Sequence, residues 1–136
     1  MANSRFYQFL YNKQAMMTML EGSAVILGSG AVGTVKGAGV TSVTRLSTGT
    51  YQILFQEPYN RYLGGSAGFV SPSAGTSSGI MTVEVLGDAN TTINTSTPTL
   101  TLQCFNAAGS LADPASGSVL GFITLLRNSS VTAGNE

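Results

Sequence analysis

Short β-branched and aromatic runs, each closed by glycine, proline or asparagine, recur along the whole chain and leave no stretch with an apolar helical stripe. The clearest unit is Val40–Leu46 followed by Thr50–Gln56, two runs flanking Ser47-Thr-Gly49. In the second run Tyr51, Ile53 and Phe55 alternate with Gln52, Leu54 and Gln56. That period of two places one set of side chains on each face of a strand. A short glycine-containing loop between such runs predicts a β-hairpin.

The same logic extends in both directions. Ala15–Gly22 fits a short helix or a strand, and the apolar Ala24–Leu27 beyond it favours one strand from Met16 to Leu27, with Gly22 as the place for a bulge. Five glycines between Gly28 and Gly39 predict turns on either side of a short strand, Ala31–Lys36. Pro58–Gly65 is expected to be a loop, Ala67–Val70 a strand, Ser73–Ser78 a turn and Ile80–Leu86 a strand. Ala89–Pro98 is a polar loop, and Thr99–Asn106 and Ser118–Arg127 are strands joined through Gly109, Asp113, Pro114 and Gly117. Roughly seven to nine short strands with turn signals between them predict an all-β fold, an antiparallel β-sandwich or barrel-like domain. Residues 1–14 are expected to form an N-terminal arm or edge strand, and 15–136 a single domain.

Charge narrows the function. Six Lys/Arg and six Asp/Glu make 9% of 136 residues, where about 25% is usual. A net charge of zero supplies no basic field for nucleic acid. So few charges favour association, which predicts a surface largely covered by partners, copies of the chain included. Cys104, the single cysteine, lies in a strand-like run and is expected to be a buried hydrophobe; it cannot form an intrachain disulfide. No targeting signal and no apolar run of about 20 residues is visible, so no membrane span is expected.

Catalytic and cofactor motifs fail on inspection. Gly28-Ser-Gly30-Ala-Val-Gly33 matches GxGxxG after an apolar run, and Glu57 lies where a ribose-binding acid could. The motif needs a helix after its third glycine, yet Thr34–Thr44 brings two more glycines and β-branched residues, which predicts turns between strands. Histidine is absent, which removes the usual base of a Ser or Cys nucleophile, and one thiolate cannot close a zinc shell. Glu21, Glu57, Glu84, Asp88, Asp113 and Glu136 are scattered, each expected in a turn or on a solvated strand face; Glu84 and Asp88 lack the further ligands calcium needs. Asn90, Asn94 and Asn128 open Asn-X-Ser/Thr triplets that this composition produces by chance. No enzyme activity, cofactor, metal or small-molecule substrate is therefore expected.

Two clusters remain as interface candidates. The first is Phe6, Tyr7, Phe9 and Tyr11 with Met16 and Met17 beyond them. The second is Tyr59, Arg61 and Tyr62, with the Tyr/Arg composition of interface hot spots; packing beneath a loop is the alternative for both.

Ser4–Phe9, the hairpin Val40–Phe55, Pro58–Leu63 and the ending Gly121–Ser130 together resemble small virion structural proteins of tailed bacteriophages. Among these the chain is most similar to capsid decoration (cement) proteins. The resemblance covers most of the chain and implies a protein on the outer surface of the phage head, binding the major capsid protein and copies of itself as a dimer or trimer. It implies no catalytic residue. A tail or head-fibre component, or a receptor- or carbohydrate-binding adhesin module, is the alternative.

Overall fold

The computed structural model describes residues 17–71, 82–85 and 92–127. Among the described residues eight strands follow one another: β1 (Met17–Ile26), β2 (Val32–Lys36), β3 (Val40–Ser47), β4 (Thr50–Phe55), β5 (Arg61–Val70), β6 (Thr82–Val85), β7 (Thr99–Phe105) and β8 (Val119–Arg127). They form two four-stranded sheets, ordered β2-β1-β8-β5 and β3-β4-β7-β6. Every neighbouring pair is antiparallel. The two sheets pack face to face, so the all-β expectation resolves into a sandwich.

The hairpin predicted around Gly49 is β3–β4, with Val43 opposite Ile53 and Arg45 opposite Tyr51. Alternation decides its faces: Tyr51, Ile53 and Phe55 are buried while Gln52 and Leu54 face outward. In β7 Leu100, Leu102 and Cys104 do the same. They meet Ala24 and Ile26 of β1 and Leu120, Phe122 and Leu126 of β8 across the interior. Each of the leucine, isoleucine and phenylalanine side chains contributes about 2 kcal/mol by leaving water. Cys104 is fully buried, as expected, and burial, helped by the nearby Asp113 charge, pushes its thiol pKa up to about 12. Within the polar loop before β7, Ile93 is fully buried and its carbonyl accepts from the Tyr59 amide at 3.2 Å.

Two boundaries differ from expectation. Arg61–Gly65 belongs to the stretch Pro58–Gly65 that the sequence predicts as a loop. It is the first half of β5, carried past a register shift between Tyr62 and Gly64 while the strand stays on β8. Gly65 is required there, since a Cβ would sit 2.4 Å from the Ile123 carbonyl oxygen. In β1 the irregularity falls between Ala24 and Ile26 against β2, while Gly22 keeps regular pairing with Phe122 of β8.

Gly22 is small for a packing reason. A Cβ at this position would lie 2.5 Å from Phe122 Cζ and 3.0 Å from the Lys36 carbonyl oxygen. The aromatic ring thus occupies the volume that a side chain on β1 would take. Gly22→Val is expected to cost about 2 kcal/mol by displacing that ring, read as a lower denaturant midpoint. Gly28→Ala, whose Cβ meets nothing within 4 Å, is the control and should change stability by less than about 0.5 kcal/mol.

Candidate functional site

Two features stand out at the surface: a polar network at one end of the sandwich, and the outward face of one sheet. The network centres on Asp113, in the loop between β7 and β8. Arg45 on β3 donates to its carboxylate through Nε at 3.0 Å and through a terminal guanidinium nitrogen at 2.8 Å. The Gly49 amide of the β3–β4 turn donates to Oδ1 at 2.8 Å. The Tyr51 hydroxyl lies 3.1 Å from Oδ1 and 3.0 Å from the Gly30 carbonyl oxygen, so its one proton serves two acceptors.

These contacts tie three loops together: the β1–β2 connection, the β3–β4 turn and the approach to β8. Both glycines are dictated by close approach. Gly30, at φ +75°, leaves no space for a Cβ, which would fall 2.4 Å from Asp113 Cγ. Gly49, at φ +68°, abuts the Ala112 amide and the Cys104 carbonyl. The GxGxxG stretch thereby acquires a structural explanation. Gly28–Gly30 form a 3-10 turn, and Gly33 lies inside β2 with no helix after it.

Burial alone would lift the Asp113 pKa, but the Arg45 guanidinium, the Gly49 amide and the Tyr51 hydroxyl outweigh it and hold the carboxyl below its usual range. Burial and the Asp113 charge push the Tyr51 phenol well above its ordinary value. An ionised carboxylate already accepting several hydrogen bonds beside a neutral phenol is the reverse of a poised general base, which needs a raised pKa and a free lone pair. The arrangement is suited to holding loops. Asp113, expected from the sequence in a turn or on a solvated strand face, does lie in a loop, and its partners there make it the hub of the network.

The outward faces of the two sheets differ in chemistry. On β3-β4-β7, Thr44, Gln52 and Thr101 form a polar row across the strands, although Leu54 interrupts the next. The outward face of β2-β1-β8-β5 carries more exposed apolar side chains, Val70 at 67%, Ile123 at 44% and Met19 at 38%, with Val25, Val119 and Leu125 half-buried between them and the charged Glu21, Lys36 and Arg61 on the same face. At its centre Ser23, Gly121 and Gly68 lie side by side on β1, β8 and β5, and a Cβ on either glycine would meet nothing within 4 Å. The missing side chains leave a hollow of about 520 Å³, bordered by Ile123 and by the charged Glu21 and Lys36.

The interface candidates from the sequence fall in different places. Phe6, Tyr7, Phe9, Tyr11 and Met16 lie outside the described residues; Met17 opens β1. Tyr59 is 3% exposed and packs edge-on against Phe55, ring centroids 6.1 Å apart, so its ring belongs to the core. Tyr62 is half-buried against the same core, and Arg61 is exposed on β5. The apolar sheet face was not among the candidates, because its residues come from strands distant in sequence; the signal lay in the second apolar set of β8, Val119, Ile123 and Leu125, alternating with the buried one.

Among the described residues no three acidic or cysteine side chains gather to hold a metal ion. Compared with models of protein families, with curated proteins and with solved structures, the chain finds no match.

Proposed function

We propose that this chain is a structural virion protein of the capsid decoration type, binding the outside of a tailed-phage head and bracing contacts between major capsid subunits. The observation that supports this reading best is the set of exposed apolar side chains on the outward face of the β2-β1-β8-β5 sheet, Val70, Ile123 and Met19 among them, on a chain with so few ionised residues. A surface of that kind gains free energy when covered by another protein. A decoration protein acts by mass action: a ligand that binds the assembled shell and not its free subunits shifts the equilibrium away from disassembly. The Asp113 network fits such a role by stiffening the loops at one end of the scaffold.

The test is to mix purified protein with emptied or heat-stressed capsids. Saturable binding in tens to hundreds of copies is expected, with a raised temperature of capsid disruption. A handful of copies per particle would move the protein to the tail or a fibre, and no binding would remove the reading. Deletion of residues 1–11 is expected to abolish capsid binding while the circular-dichroism spectrum stays that of a folded β protein; unchanged binding would exclude the aromatic arm.

A further inference from the structure

Steps of two residues along β8 divide the outward face of the β2-β1-β8-β5 sheet into rows about 7 Å apart, four of them from Val119 to Leu125 and a fifth at Arg127, where the exposed Arg61 of β5 pairs. The first holds Val25, Val119 and Val70, and the second Lys36, Ser23, Gly121 and Gly68. The third holds Glu21, Ile123 and Ser66, and the fourth Met19, Leu125 and Gly64. We infer that two copies of the chain pack through this face, related by a twofold axis that crosses the strands between the second and third rows. The inference takes from the proposed function only that copies of the chain are partners.

Such an axis exchanges rows two and three, and rows one and four, while keeping each strand over itself. Ile123 of one copy then enters the hollow above Gly121 of the other, a projecting side chain over a missing one. Val70, the most exposed apolar side chain described, falls over Gly64. Val119 meets Leu125, and Val25 meets Met19. The charges agree with the same operation. Glu21 and Lys36 border the hollow, and neither is held in an ion pair by a described residue. The axis that seats Ile123 carries Lys36 of one copy into the row of Glu21 of the other, one strand away and within reach of both long side chains. A single operation thus satisfies shape, apolarity and charge together.

Three strands across four rows with Lys36 of β2 at one edge, at about 4.8 Å between strands and about 7 Å between rows, give a patch of roughly 440 Å² per copy, or about 900 Å² in the pair. That is the size of a weak, reversible interface, so a dissociation constant on the order of tens of micromolar is expected.

The test is sedimentation velocity on the full chain, without capsids, from about 1 to 200 µM. The expected result is a concentration-dependent species of twice the 14.0 kDa chain mass. Ile123→Lys should weaken the dimer at least roughly thirtyfold. Measured at about 1 µM, where both proteins are monomeric, its thermal midpoint should stay unchanged, because the side chain points away from the core. Glu21→Lys and Lys36→Glu should each weaken it by about tenfold, and the double exchange should restore it. A single 14.0 kDa species throughout, an oligomer indifferent to Ile123→Lys, or a charge exchange that fails to rescue would each overturn the inference. Because no capsid is present, its failure would leave capsid binding to be judged by its own experiment.

Discussion

Phe55→Ala is expected to lower the stability of the domain by about 4 kcal/mol and its thermal midpoint by about 15 °C. Phe55 closes β4 at 2% exposure, and its ring holds Tyr59 edge-on at an interplanar angle of 84°. Its amide donates to the Pro98 carbonyl at 2.9 Å, so the strand end is pinned to the loop before β7 and cannot slide inward. The volume vacated by the ring therefore stays as a cavity lined by other core side chains, and cavities that cannot collapse give the larger losses. Tyr59 would also lose its aromatic partner, worth roughly another 1 kcal/mol beyond buried area. Differential scanning calorimetry decides this. A fall of only a few degrees would mean that Tyr59 and Ile93 close over the gap.

Asp113→Ala is the second large effect, expected at about 3 kcal/mol. The ion pair contributes the smaller part of that, because its side chains are 29% and 19% exposed and water screens them. Most comes from the Gly49 amide, which loses its acceptor, and from the fully buried Tyr51, whose hydroxyl keeps only the Gly30 carbonyl. The pH dependence follows from the depressed carboxyl pKa. A group whose folded pKa lies below its unfolded value, about 3.9 for Asp, contributes its stability above that value and loses it as pH falls through the folded pKa. The difference in unfolding free energy between wild type and Asp113→Ala should be constant from about pH 5 to 8 and shrink below about pH 4. A difference that grew on acidification would contradict the network as described.

The fold was legible because strands announce themselves locally. Alternation in Tyr51–Phe55 and the Gly49 turn specify the β3–β4 hairpin without reference to the rest of the chain, and the β-branched runs of β7 and β8 do the same. Beyond local pattern the signal fades. Gly64 and Gly65 read as a strand break, and only the presence of β8 alongside turns them into a bulge within β5. Asp113 looked like any loop aspartate, since its donors lie 62 to 68 residues away in sequence and meet it only through the sandwich. Tyr59, with the composition of an interface anchor, proved to be a core side chain once Phe55 lay beside it. The apolar outer face is of the same kind: Val25, Val119 and Val70 become neighbours through strand order alone.

The proposed place of the chain on the outside of a phage capsid is tested most directly by an electron-microscopic map of the intact phage particle. The predicted result is an eight-stranded sandwich repeated over the outer surface of the shell, each copy touching more than one capsid subunit. A map of the complete particle in which no such density lies on the shell would contradict it.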